Sequence, residues 1–225
     1  MFKIMKKLTL LLNNINLRTS QIHKLRGFVG NAFKKHDLIH NHDEKGNPIY
    51  RYPLIQFKLI EKTPAIIAIT DRAVKIFAEI FMKLDEIIIE DTLIHVFEKD
   101  MKIEEVEFGY SNEIFMYKFV SPWIGLNQNN FKKYNEAVRD EKNEILKKVM
   151  TGNILSAAKY LDCRLSHDQK IKIDHKLKEV KANLKGKSMT AFTGVFKTNF
   201  LLPDYLGIGK SVSRGFGVVR RVKGG

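Results

Sequence analysis

Cysteine is almost absent from this chain of 225 residues: Cys163 is the single one. A disulfide framework and a cysteine-based zinc cluster are thereby excluded, and a reducing compartment is expected. Also lacking is any apolar stretch near the ~20 residues that span a bilayer. MFKIMKKLTLLLNNINLR places lysines before an apolar run, as a signal peptide does. That run is too short, and it stops at Asn13-Asn14 without a small-residue cleavage site. A soluble, cytoplasmic protein without a membrane partner is expected. Acidic residues are scarce at both chain ends. None precedes Asp37, against eight Lys or Arg, and from Lys181 onward nine basic residues meet the single Asp204. Between Asp85 and Glu107 the balance inverts, with nine acids against Lys99 and Lys102. Lysines placed only for solubility would not segregate in this way. The formal net charge of +14 points to a polyanion, nucleic acid before anionic membrane. No helix-turn-helix or basic-zipper pattern appears, which argues against a DNA-binding protein.

The apolar fraction of 44% suits a folded globular chain. FKIMKKLTLLLNN reads as a strand. TSQIHKLRGFVGNAFKKH reads as a helix with Ile22, Leu25, Phe28, Val29, Ala32 and Phe33 on one face, behind a Thr19 or Ser20 cap. IYRYPLIQFKLIEK and TPAIIAIT form a hairpin, DRAVKIFAEIFMKL a second helix capped by Thr70 or Asp71, and DEIIIEDTLIHVFEK a further strand. The order β-α-β-β-α-β is that of the ferredoxin-like unit. Beyond it come a strand (NEIFMYKFVSPWI), a long, interrupted helix and two β-rich stretches. The expected fold is α+β: two packed ferredoxin-like (RRM-like) domains, the second one divergent. The expected domains are 1–104, carrying a histidine-rich loop, and 105–225, ending in a glycine-rich loop. No Pro/Ser linker separates them.

GIGKSVSRGFG sets Gly207, Gly209, Gly215 and Gly217 around Lys210 and Arg214. Glycine lets backbone N–H groups approach a phosphate, and the cations add charge, so RNA-backbone contact is expected in preference to a plain glycine turn. A P-loop is excluded, because Asp204 occupies the position where its first glycine must stand. RGFGVV matches half of an RNA-recognition consensus, but Val218 and Arg221 replace the later aromatics.

KKHDLIHNHDEKGNPIYRY packs His36, His40 and His42 into seven positions and follows them with Tyr50 and Tyr52. Metal-free RNA cleavage needs a base for the ribose 2′-hydroxyl, an acid for the departing 5′-oxygen and cations for the phosphate. Histidine serves either proton-transfer role near neutral pH. His40, His42 and Tyr50, with Lys34, Lys35 and Arg51 nearby, supply the set. Zinc ligation by two histidines with Asp37 or Asp43 lacks a supporting second cluster. The spelling His40-Asn41-His42 is not an HNH nuclease motif, whose letters stand far apart in sequence.

Together, the SQIHKLRGFVGNAF helix leading into LIHNHDEKG and IYRYPLIQFK, the element order and GIGKSVSRGFG resemble the CRISPR repeat-processing endoribonucleases of the RAMP superfamily, two-histidine subgroup. The resemblance implies metal-independent cleavage of CRISPR precursor RNA within each repeat, with no cofactor. The resulting guide RNAs end in a 2′,3′-cyclic phosphate. It places His40 and His42 at the paired histidines and Tyr50 at the following tyrosine, with Tyr52 as its rival and His36 without a counterpart. RNA is the implied partner, and a CRISPR effector complex is a further one. Monomer and homodimer both stay open. The alternative is a non-catalytic RNA-binding subunit of a CRISPR ribonucleoprotein complex.

Overall fold

Leu8, Leu10 and Leu12 alternate along β1 (Phe2–Leu12) and bury one face of that strand. The structure, a computed structural model, describes residues 2–34, 36, 38, 51–184 and 186–222. A 3₁₀ turn at Thr19–Gln21 leads into α1 (Ile22–Ala32), which buries Ile22, Leu25 and Val29 at helical spacing. Neither Thr19 nor Ser20 caps it; Gln21 Oε1 instead accepts from the Arg18 N–H at 2.9 Å. β2 (Ile55–Ile60) and β3 (Thr63–Ile69) pair as a hairpin. Glu61 and Lys62, both at positive φ, close it. α2 (Asp71–Lys83) lays Ala73, Phe77 and Ile80 into the same core. Thr70 stands at its N-cap position but makes no capping bond.

The 85–99 stretch departs from the expected single strand. Glu90 and Asp91 turn it at positive φ, so β4 (Glu86–Ile89) and β5 (Thr92–His95) pair with each other in a two-stranded sheet of their own. The fourth strand is supplied by the start of β6 (Lys99–Trp123), giving the order β2-β3-β1-β6. This first unit comprises Ile4–Val106 together with Val212–Gly215.

The second unit comprises the chain up to Lys3, Glu107–Ser211 and the stretch from Phe216 on. The remainder of β6 is followed by α3 (Gln128–Glu136) and α4 (Arg139–Tyr160), separated by extended backbone at Ala137 and Val138. β7 (Ile173–Leu184) and β8 (Lys187–Leu201) form a long hairpin, and β9 (Val219–Arg221) pairs with β6. The order β7-β8-β6-β9 repeats that of the first unit, each reading second-third-first-fourth. The fold is thus α+β with two ferredoxin-like units. The second diverges because the glycine-rich segment, with a 3₁₀ turn at Val212–Arg214, connects β8 to β9 where the first unit has a helix. Its core is aromatic: Tyr117 stacks on Phe196 and Phe119 on Trp123. No helix among the described residues is long and apolar enough to cross a membrane.

Candidate nucleic-acid interface

His40, His42 and Tyr50 lie outside the described residues, whereas the chain on either side of them is described. On the entering side, Leu38 is buried in the first unit's core. His36 Nε2 stands 3.0 Å from Glu79 Oε2 on α2. Glu79 also accepts from Lys83 at 2.9 Å, and Lys83 chiefly holds its carboxyl below the usual range. On the leaving side, Tyr52 is only 8% exposed, and burial raises its hydroxyl above the ordinary phenol value. Gln56 Nε2 donates to the Tyr52 hydroxyl and to the Pro53 carbonyl, each at 3.0 Å, and Gln56 Oε1 accepts from Lys58 Nζ at 2.6 Å.

Lys58 is fully buried. Its amine is pushed well below the ordinary value, first by burial and then by Lys7. Lys7 is itself buried and pairs with Glu104 at 2.8 Å. Sequence reasoning missed this network, because Gln56 and Lys58 alternate with apolar residues as a solvent-facing row would.

The depressed Lys58 value has a testable consequence. The unfolded chain protonates this amine up to pH ~10.4, while the folded chain keeps it neutral down to a lower pH. In that window the unfolded state binds more protons, so this group makes stability rise with pH and weakens the fold toward the acid end. Lys58→Met removes the dependence. The variant's Tm minus that of the wild type is expected to be most positive, or least negative, at the acid end, and to fall as pH approaches ~10. Paired thermal melts across pH 6–10 check this; a pH-independent difference contradicts it.

The glycines expected to make room for phosphates also have conformations with a cause within the protein, which neither favours nor opposes that contact. Gly209 is at φ 93°, where a Cβ would lie 2.6 Å from Trp123 Nε1 and 2.8 Å from the Ile124 carbonyl oxygen. Gly217, at φ 62°, would place a Cβ 2.0 Å from the Ile208 carbonyl oxygen. Gly215 is at φ 87° with Ile22 3.2 Å from the would-be Cβ. Gly207 bridges to Val218. The Ile208 N–H donates to the Gly217 carbonyl at 2.9 Å, and the Gly217 N–H to the Pro122 carbonyl at 2.9 Å. These demands hold with or without a ligand.

The cations are a different matter. Arg214 ends the Val212–Arg214 turn, which belongs with α1 and β2 in the first unit. Arg26, on α1, has its guanidinium value lowered by burial and then by Arg214, and burial lowers Arg214 as well. Among the described residues no carboxylate offsets either group. The two guanidiniums repel each other while partly buried, a cost that an anion would relieve. Arg26 went unnoticed in the sequence, since it falls between the core positions of α1. In the second unit, Lys210 is partly desolvated and its ammonium value falls accordingly.

Comparison with known proteins decides the family. The family model of the Cas6b N-terminal domain matches residues 3–107, and that of the Cas6b C-terminal domain matches 109–222. This chain belongs to the Cas6b family. The structure is similar to a crystal structure of Cas6b, with a TM-score of 0.91 and 34% identity, covering 98% of this chain and 100% of that one. A second solved structure, of the CRISPR RNA processing endoribonuclease Cas6b, matches with a TM-score of 0.79 and 33% identity over 98% of this chain and 100% of that one. An uncharacterized protein of Methanocaldococcus jannaschii, MJ0978, is 39% identical over 146 residues, 64% of this chain and 98% of that protein. The resemblance drawn from the histidine-rich and glycine-rich stretches therefore holds at the level of the Cas6b family.

Proposed function

We propose that this Cas6b-family chain is an endoribonuclease that cuts CRISPR precursor RNA within its repeats, without a metal ion. His40 and His42 divide the roles of base and acid. One imidazole removes the 2′-hydroxyl proton, the 2′-oxygen attacks the adjacent phosphorus, and the other imidazolium protonates the leaving 5′-oxygen. The products are a 2′,3′-cyclic phosphate and a 5′-hydroxyl, with no water consumed. Tyr50 donates a hydrogen bond that orients the reacting groups. One histidine must be neutral and the other charged, so the cleavage rate is expected to be bell-shaped around neutral pH. The observation that supports this reading best is the Cas6b family match over both domains, joined to the histidine-rich stretch that the sequence places between Leu38 and Tyr52.

Arg26 and Arg214 hold RNA phosphates in this reading, and Lys210 is a further RNA contact of the second unit taken by itself. Arg26→Gln and Arg214→Gln are each expected to weaken RNA binding and to lower the slope of log affinity against log salt by about 0.7 per lost phosphate contact. Binding titrations between 50 and 300 mM salt measure it; an unchanged slope in both variants would remove these arginines from the interface. Cleavage itself is tested by incubating the chain with a repeat-containing RNA in excess EDTA. Cutting at one site within the repeat is expected. Cutting only after magnesium or zinc is added would overturn the metal-free mechanism, and no cutting in any buffer would leave an RNA-binding subunit.

A further inference from the structure

A cavity of about 470 Å³ opens in the second unit, lined by residues of α3, α4 and the start of the glycine-rich segment. Its walls carry Lys133, Lys148 and Lys210 together with Asn127, Asn130 and Asn153, and no carboxylate lines it. Glu144 on α4 is held by Lys147 at 2.8 Å and is not part of the lining.

The walls are fixed before any ligand arrives. Trp123 Nε1–H donates to Asn153 Oδ1 at 3.1 Å, which orients that amide. The Lys210 N–H donates to the Ile124 carbonyl at 2.8 Å, and Gly209 lets the backbone lie against the Trp123 ring. Asn127 Oδ1 accepts from the Asn130 N–H at 2.7 Å, fixing the start of α3. Gly152, deep in α4, also lines the space. Glycine is a poor choice for a helix interior, and a Cβ here would meet nothing within 4 Å. Nothing in the packing of α4 asks for it, and its effect is to keep the cavity open.

The chemistry of the walls selects the ligand. Amide side chains offer both donors and acceptors to a base edge, while ammonium groups suit phosphate oxygens. The volume lies within the range of small-molecule sites and is far too small for a duplex. We propose that this cavity takes one unpaired nucleotide of the RNA, its base edge against the asparagine amides and its phosphates against the three lysines. This rests on the reading of the chain as an RNA-binding Cas6b protein. It adds to that reading a single-nucleotide subsite on α3 and α4, away from His40 and His42 in sequence.

The test is Gly152→Leu, which extends into the space from a helical position where a Cβ meets nothing within 4 Å, with Lys148→Gln as a second variant that alters charge but not shape. Thermal melts verify that both fold. Affinities for a repeat-containing single-stranded RNA, for AMP and for inorganic phosphate are measured against the wild type. Gly152→Leu is expected to weaken RNA binding about tenfold and Lys148→Gln several-fold. RNA affinities equal to the wild type's in both folded variants would overturn the subsite. Loss of AMP binding with RNA binding intact would overturn the assignment to RNA in favour of a free nucleotide. Loss confined to inorganic phosphate would overturn the base contacts. Because binding is read and not cutting, a chain that loses RNA through Gly152→Leu yet never cleaves it would contradict the cleavage proposal and leave the subsite standing.

Discussion

His40→Ala and His42→Ala are each expected to slow single-turnover cleavage of a repeat-containing RNA by a factor of ~10²–10⁴ while leaving its affinity within about threefold. Loss of a positioned acid or base ordinarily costs this much, equivalent to about 3–5 kcal/mol of barrier. In the proposed reading the phosphates are held elsewhere, by Arg26, Arg214 and the lysines of the second unit, and affinity is therefore expected to be spared. Tyr50→Phe is expected to fall between these variants and the wild type. The contrast with Tyr52→Phe separates the two tyrosines. Tyr52 is buried, its hydroxyl is occupied by Gln56, and burial holds it in the neutral form. Its loss should therefore lower stability by about 1 kcal/mol, with little direct effect on the cleavage rate at saturating protein. Cleavage unchanged in both histidine variants would move the chemistry to other residues. A Tyr52→Phe variant that folds normally but loses cleavage would make Tyr52 the functional phenol.

Gly217→Ala should produce the largest loss of stability among single methyl additions to the glycine-rich segment. Two costs combine. An alanine at φ 62° adopts the left-handed region at a cost of about 1 kcal/mol. The new Cβ would also sit 2.0 Å from a backbone oxygen, that of Ile208, which cannot rotate away as a side chain would. Relief requires moving Ile208, whose N–H donates to the carbonyl of Gly217 itself. A total near 3 kcal/mol is expected, which for a chain of this size lowers Tm by about 6–12 °C. Gly152→Ala is the internal control. It adds a Cβ in open space on a helix and should raise stability by about 0.5–1 kcal/mol. A Gly217→Ala protein melting with the wild type would mean that this segment does not hold the described backbone in solution.

Much of this architecture could be read from the chain, and the misreadings have specific physical causes. β1, α1, the β2–β3 hairpin and α2 announce themselves because apolar spacing, length and turn residues agree. The 85–99 stretch misled because Ile87, Ile88, Ile89, Leu93 and Ile94 give one dense apolar run. Glu90 and Asp91 reverse the chain without a glycine or proline to mark the turn. The second unit's strand order was hidden because β9 is three residues long and no helix precedes it.

At the interface, the glycines of GIGKSVSRGFG were recognisable as special, yet the structure gives Gly209, Gly215 and Gly217 reasons of backbone geometry that sequence could not separate from phosphate contact. Burial of Lys58 and Gln56 was invisible for a related reason. A polar residue alternating with apolar ones reads as solvent-facing whether or not something covers it. Arg26 became meaningful only through its repulsion by Arg214, far along the chain.

In the proposed mechanism a ribose 2′-hydroxyl attacks its own phosphate. A repeat-containing RNA carrying a single 2′-deoxy substitution at the nucleotide 5′ to the cut tests it most directly. This RNA is expected to bind as the unmodified one does and not to be cut at that position, while the unmodified RNA yields a 2′,3′-cyclic phosphate. Cleavage of the deoxy-substituted RNA at the same bond and a comparable rate would contradict it.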